Sequence, residues 1–420
     1  MLKYVRNSDP EMYELVLADL RRQENTIEMI ASESTVPIEV MELSGSVLTN
    51  KTLEGLPHKR FQAGSELADK IEELGWRRAK ELFGAEHVNL QSYSGSTANY
   101  SVFAAVLDPG DRILSMRLDQ GGHLTHGSPA NWVSKIYHHD FYGVDLETER
   151  IDYDALEKTA KEVRPKLIIA GASAYPRLID YERMAKIAEE AGAYFMVDMA
   201  HIAGLVAAKV IPSPIPWADF VTTSTTKTFC SARSGMVFCK EKYAKLLDRG
   251  TFPGSLGSIH LHTMAAKIWS MKYAQTPEFR ATMQRILDNA KFMAKAMEEE
   301  GFRVVSGGND NHLLLVDLRA KDISGKVFQN TLDSIGITVN KNQIPNDPAS
   351  PFVTSGARIG LTSTTQRGLG PGELKVIANI MRRVAEAPED AAVLESCRKE
   401  ARELISAFPL YPADAFEELV

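Results

Sequence analysis

The chain has 420 residues, of which 44% are hydrophobic and 25% charged, with a net charge of -7. That length and apolar content can bury a large core and predict two domains or lobes. The acidic balance gives no support to a nucleic-acid or anionic-membrane surface, so neither class of partner is expected. Three scattered cysteines (Cys230, Cys239 and Cys397) suit a reducing compartment rather than a disulfide scaffold. The ten histidines show no metal-ligand spacing, so no metal is expected. The first thirty residues mix acids and bases without a signal-type apolar core, and no stretch has the length to span a bilayer. The expected setting is the cytoplasm.

In chain order, the Asp9-Pro10 start signal opens an amphipathic helix to Glu24, carrying Met12, Leu15, Val16 and Leu20. Residues Asn25–Thr35 run into IASES and read as too polar for a buried strand, hence an arm crossing the surface or a partner subunit. PHKRFQAG (Pro57–Gly64) reads as a basic loop closed by glycine, and Glu66–Leu82 as a helix. From Ala85 to Lys240, short apolar runs (Arg112–Met116, Lys166–Ala170, Tyr194–Met199, Phe220–Thr223, Met236–Cys239) alternate with helical stretches (Ala98–Leu107, Tyr153–Val163, Tyr181–Gly192). This alternation predicts an α/β fold with a mostly parallel sheet, whose ligands gather beyond the carboxyl ends of the strands. Phe279–Glu300 reads as one long helix joining the lobes. Strands at Phe302–Val305, His312–Leu318 and Arg358–Leu361, with a helix at Gly325–Ile335, predict a smaller α+β lobe. The C-terminal helices read as solvated faces. The expected division is 1–45 for the N-terminal helix and arm, 46–278 for the large domain, and 279–420 for the connecting helix and small domain.

The stretch ADFVTTSTTKTFCSARSG (Ala218–Gly235) sets a single lysine, Lys227, among short hydroxyl residues. A partly desolvated pocket of that kind lowers a lysine's pKa, as attack on an aldehyde requires. SYSGSTANY (Ser92–Tyr100) precedes an alanine-rich helix. It fits either a phosphate cradle of free backbone N–H groups or an ordinary helix cap. Asp198 closes an apolar run, and a buried aspartate there needs a cationic partner such as a protonated pyridine nitrogen. His201, three residues on, could lie above it or be a packed histidine. His123 and His126, in DQGGHLTHGSP, could lie on a heteroaromatic ring or be plain loop residues. Arg358 suits a bidentate grip on a carboxylate, or a surface ion pair.

The pieces come in one order: cradle, histidine, aspartate, lysine, arginine. With them stand IASES, LTNK, SGSTAN, GGHLTHGSP, DMAHIAGLVAA, VVSGGNDNHLLLVDL and VNKNQIPNDPASPFVTSG. From about Ile30 to Gly368 the sequence resembles the serine hydroxymethyltransferase (glycine hydroxymethyltransferase) family, pyridoxal 5'-phosphate enzymes of fold type I, the aspartate-aminotransferase-like fold. The resemblance implies a large sheet domain, a smaller C-terminal domain, and a homodimer or dimer of dimers with shared active sites. It assigns Lys227 to the Schiff base, Asp198 to the pyridine nitrogen, His123 to the ring face, and Ser94, Gly95 and Ser96 to the phosphate. It sets Ser173 and His201 beside the phenolic oxygen, with Thr226, Gly257 and Ser258 also in the cofactor's surroundings. Arg358 and Ser32 would hold an amino-acid carboxylate, Glu54 would manage protons at the substrate hydroxyl, and Gln62 would lie near the substrate. The implied reaction is Cα–Cβ cleavage and formation in a β-hydroxy-amino acid, as serine–glycine exchange with tetrahydrofolate in one-carbon metabolism.

The departures from the family cluster at these positions. Phe61 and Gln62 stand for two tyrosines, Thr52 for a tyrosine and Thr226 for a histidine. Ser231–Gly235 replaces Gly-Pro-Arg-Gly-Gly, and Gly257-Ser258 a glycine pair. The phenols lost at Phe61 and Gln62 keep two alternatives open. One is a folate-independent aldolase or transaldolase on another β-hydroxy or α-methyl amino acid. The other is a non-catalytic binding protein on the same fold, against which Lys227, Asp198 and Arg358 argue.

Overall fold

The computed structural model describes residues 2–412 and 415. Cα packing divides the chain into two units: Val36–Leu287 with Asn309–His312, and Met1–Thr35 with Asp288–Gly308 and Leu313–Val420.

The larger unit is built on a seven-stranded sheet. Its order is His87–Asn89, Gly235–Cys239, Phe220–Ser224, Tyr194–Asp198, Leu167–Ala170, Arg112–Met116 and His138–Tyr142. Gly235–Cys239 runs antiparallel to both neighbours, and every other pairing is parallel. The inner strands are apolar at consecutive positions because helices cover both faces. Successive side chains enter opposite layers. Ile113, Ile169, Met196, Phe220 and Val237 lie in one cluster, while Leu114, Ile168, Val197, Val221 and Phe238 lie in the other. The fold is therefore α/β of the expected mostly parallel kind, and each run read as a strand is one within a residue or two.

Two strands lacked a sequence signal. His87–Asn89 is three residues long, and His138–Tyr142 (HHDFY) is a half-exposed edge strand whose polar character blunts unwanted pairing. Pro57–Gly64 is not a plain loop: Gly55–Leu56 pairs antiparallel with Lys59–Arg60.

The smaller unit holds a four-stranded antiparallel sheet in the order Arg303–Val304, Leu313–Asp317, Gly356–Gly360, Asn340–Asn342. Here the reading of residues 25–35 needs correction. Ile27–Glu28 pairs parallel with Ile337–Thr338, and Ile27, Met29 and Ala31 are fully buried. Thr26, Glu28 and the Ser32–Thr35 run lie around these three, so average polarity hid their period-two burial. The C-terminal helices are also not merely solvated. Pro371–Glu386 buries Leu374, Ile377, Ala378, Ile380, Met381 and Val384, and Ala391–Ser406 buries Cys397, Ala401 and Ile405.

Arg367 fastens the two ends of this unit. Its guanidinium donates five hydrogen bonds to the carbonyls of Gln23, Glu24, Thr26 and Phe408, at 2.6–3.1 Å. Gln23 and Glu24 end the helix Pro10–Glu24, whose last carbonyls have no partner within the helix. Replacing Arg367 by alanine strands four carbonyls and should cost about 3 kcal/mol, visible as a lower urea midpoint at unchanged slope. A midpoint equal to wild type would show that water satisfies those carbonyls as well as the guanidinium does.

Candidate active site

The carboxyl ends of the parallel strands carry the site. Tyr194–Asp198 ends on Asp198, which is 8% exposed. Its Oδ2 accepts from Asn99 Nδ2 at 2.9 Å and pairs with His126 Nε2 at 3.1 Å. Its Oδ1 accepts from the Ala200 backbone N–H at 3.0 Å. Burial raises a carboxyl's pKa; here the hydrogen bond and charge of His126, with the charge of Lys227, outweigh it. Asp198 is accordingly held far below the usual carboxylate range.

Asn99, wholly buried on the helix Gly95–Val106, organises the set. It also donates to Thr125 Oγ1 at 2.8 Å and accepts from Thr222 Oγ1 at 2.6 Å. Neither Asn99 nor Thr222 was legible as a site residue, since each sits inside a run that reads as a helix or a strand. His123, in the loop after Arg112–Met116, pairs through Nδ1 with Thr125 Oγ1 at 2.8 Å. Its ring lies 5.4 Å from that of His126. Burial, with the charge of His126 second, lowers its pKa to about 4, so it is neutral at physiological pH. His123, His126 and Asp198 group like metal ligands. Asn99, however, presents an N–H donor to the same carboxylate oxygen and occupies a lone pair that a metal ion would need.

Lys227 follows Phe220–Ser224, close enough for its charge to act on both Asp198 and His123. Thr226 Oγ1 pairs with Ser224 Oγ at 3.0 Å. His201 is buried, and its carbonyl accepts from Thr228 Oγ1 at 2.9 Å. Ser173 donates its backbone N–H to Gly121 O at 2.8 Å, joining two of the strand-end loops. Gly171, at φ 112°, lets those loops close, because a Cβ there would stand 2.1 Å from Asp198 O.

Ser94 caps the helix Gly95–Val106 in a reciprocal capping box with Thr97. The N–H groups of Gly95 and Ser96 at the first turn have no intrahelical acceptor. A Cβ on Gly235 would meet Ser94 O at 2.3 Å, and one on Gly95 would meet Ser224 Cβ at 3.2 Å. The lysine-bearing strand and its neighbour therefore abut the helix start. Beside it, Tyr93 donates to Ser258 O, and Ser258 Oγ accepts from Leu53 N at 3.0 Å. The next residue, Glu54, is clipped twice by Gln62. Gln62 Nε2 donates to Glu54 Oε2 at 3.0 Å, and Glu54 N donates to Gln62 Oε1 at 2.8 Å. Gly257 lies against Glu54, its ideal Cβ position 3.7 Å from Oε1. Phe61, by contrast, is 74% exposed.

All of these residues belong to the larger unit, whereas Ser32 and Arg358 belong to the smaller. Arg358 lies on Gly356–Gly360, opposite Leu315 and Asn340. Its Nη2 donates to Asn340 Oδ1 at 2.6 Å, and burial lowers its pKa to about 10. Ser32 is half-buried beside Ala31, whose backbone packs against Gly360.

The sheet, the strand-end aspartate and the lysine after the next strand define a fold-type I pyridoxal-phosphate protein. The donor set fits that group: a buried carboxylate asks for a cationic N–H, and the helix start presents N–H groups to an anion. The family model for serine hydroxymethyltransferase matches residues 5–381. The chain belongs to the serine hydroxymethyltransferase family. The family implies a pyridoxal-phosphate-dependent transferase or aldolase acting in amino-acid and one-carbon metabolism. Among the described residues, no helix is long and apolar enough to cross a membrane.

The His123 environment gives a signed pH dependence. The unfolded chain protonates this imidazole near its ordinary value of 6.5, the folded one only near pH 4. The unfolded state thus binds more protons in that window, and stability falls as pH drops from about 6.5 toward 4, by at most about 3 kcal/mol. Urea midpoints of the cofactor-free protein at pH 7 and pH 5 should therefore differ more in wild type than in His123→Asn. Equal losses in both would refute a buried neutral His123.

Proposed function

We propose that this chain makes and breaks the Cα–Cβ bond of a β-hydroxy-amino acid with pyridoxal 5'-phosphate, and that its first reaction is serine–glycine exchange with tetrahydrofolate. The observation that carries this reading is the buried, ionised Asp198 with neutral His123 and Lys227 beside it. Gly95 and Ser96 N–H groups, with Ser94, hold the phosphate; Lys227 is the covalent attachment point. The bound cofactor supplies an electron sink for the negative charge left on Cα. Asp198 keeps the proton on the ring nitrogen, which that sink requires. His123, uncharged, covers the ring face without adding a competing cation. Ser173 and His201 take the phenolic oxygen, with Thr226, Gly257 and Ser258 completing the surroundings.

Arg358 and Ser32 grip the substrate carboxylate, and Glu54 accepts the proton of the substrate hydroxyl as the bond opens. Gln62 presents its amide to Glu54 and fixes the carboxylate's orientation. The same clip supports a second reading, a folate-independent aldol reaction. An amide at this position can orient a carboxylate but cannot pass on a proton as a phenol can. We further propose a homodimer or dimer of dimers with shared active sites, and residence in the cytoplasm.

Purified protein with serine and tetrahydrofolate should form glycine at a rate well above the enzyme-free background. Turnover at background would remove the first reading, and cleavage of another β-hydroxy-amino acid without folate would install the second. Lys227→Ala should bind cofactor only non-covalently and lose at least about a thousandfold in kcat. If the wild-type protein took up no pyridoxal phosphate at all, a non-catalytic role for the fold would replace both.

A further inference from the structure

Two buried imidazoles meet where the sequence motifs gave no reason to pair them. His201 Nδ1 lies 3.3 Å from His312 Nε2, with the rings 5.5 Å apart and inclined by 28°. His201 is 6% exposed and His312 is wholly buried. His312 ends the segment Asn309–His312, which packs with the larger unit although the chain before and after it packs with the smaller. That segment is fixed along its length. Asp310 N donates to Pro176 O at 2.8 Å, and the Asp310 carboxylate takes Arg177 Nη1 at 3.1 Å and Leu178 N at 3.2 Å. Asn311 Nδ2 donates to Tyr175 O at 3.1 Å, and Asn309 Nδ2 to Asn311 O at 3.1 Å. These anchors fall on residues 175–178, just after Ser173. One loop is thus tied down while the segment delivers a ring to His201.

Between the two facing nitrogens there is room for one hydrogen. Two N–H groups would point at each other, and two lone pairs would repel. Whichever ring carries that hydrogen fixes the tautomer of the other. We propose that His312 Nε2–H donates to His201 Nδ1 and so locks His201 as the neutral tautomer protonated on Nε2. His312 is then a positioning residue: it touches neither substrate nor cofactor but decides what His201 can do. The inference rests on the reading that His201 stands beside the cofactor's phenolic oxygen. An electron-rich oxygen needs an N–H donor there, and the opposite tautomer would present it with a lone pair. The arrangement resembles the way an outer hydrogen bond sets the tautomer of a ligating histidine.

The test is nitrogen NMR of the protein as purified, labelled at histidine, with the His201 signals assigned by their loss in His201→Gln. Wild type should show His201 protonated at Nε2. In His312→Phe the constraint is gone, and His201 should shift toward the other tautomer. His312→Gln retains an amide donor and should restore the wild-type pattern. In serine turnover, His312→Phe should lower kcat by about ten- to a hundredfold, below the loss of a whole positioned donor, with KM within about twofold. His312→Gln should recover most of that rate. A packing role alone would move stability but not the tautomer. Wild-type His201 protonated at Nδ1, or an unchanged tautomer in His312→Phe, overturns the proposal. If His312→Phe does not fold, the wild-type and His312→Gln spectra still decide it, because wild type must show Nε2–H and glutamine must preserve it. Failure of serine turnover with the expected tautomers would remove the serine–folate reading and leave the histidine pair standing.

Discussion

A carboxylate held ionised at the end of a central strand is the constraint around which the larger unit is arranged. An isolated buried carboxylate is costly, and it stays charged only where donors converge on it. Asp198 has three such donors from three different parts of the chain: the Asn99 amide on a helix, the His126 ring in a loop, and the Ala200 N–H just beyond the strand. Two of these donors are themselves bound to something further out. Asn99 is fixed by Thr222 and Thr125, and the His126 carbonyl accepts from Ser115 Oγ at 2.6 Å on the strand Arg112–Met116. The sheet order brings these strand ends together, and the hydrogen bonds then fix their distances. A buried anion with one sign of partner already in place is a receptor for a cationic N–H, which a pyridinium provides.

A second buried charge supports the segment that leads into the helix Gly95–Val106. Lys267 has no exposed surface, and its ammonium meets three acceptors: Leu90 O, Ser234 Oγ at 2.8 Å and Gly235 O at 2.8 Å. Burial lowers its pKa to about 7, opposed by the charge of Glu72, which is itself buried against Arg60 and Gln91. Three acceptors favour the charged form of an amine with three hydrogens. The lysine therefore ties the segment leading into Ser92–Ser96 to the strand that begins at Gly235. One helical turn on, Ser270 Oγ donates to Ser231 Oγ at 2.8 Å, so the helix Leu261–Tyr273 holds both ends of the loop after Lys227. Removing a partner from such a network costs far more than replacing the whole network with apolar groups.

The sequence made the strands legible because both faces of the sheet are buried, so apolar runs such as LIIA and YFMVD stand out from the amphipathic helices beside them. Lys227 and Asp198 were legible by their chemistry: a cation among hydroxyls and an acid closing an apolar run. What could not be read was partnership. Asn99 looks like one polar residue in an alanine-rich helix, and its role exists only because Thr222 and Asp198 lie 123 and 99 residues away in sequence. The Ile27–Met29–Ala31 ladder failed for the opposite reason. Its pattern is local, but three buried positions followed by the polar run Ser32–Thr35 are too short to stand out by composition. The pairing of His312 with His201 spans 111 residues and leaves no periodic trace.

The altered residues near the site are not loose ends in the fold. Gln62 makes two bonds to Glu54, and Thr226 pairs with Ser224, so each replacement is integrated into a hydrogen-bonded neighbourhood. Phe61, whose ring has an edge contact to Phe252 at 5.6 Å, and Thr52 are the replacements left exposed among those at positions 52, 61, 62 and 226. A phenol at position 62 could both orient a carboxylate and exchange a proton, whereas an amide does only the first. Asp198, His123 and Lys227, in contrast, match the family's motifs and form one electrostatic group, although the histidine expected before Lys227 is Thr226. Gln62 fixes the Glu54 carboxylate with an amide, which holds its orientation and has no phenolic proton to exchange.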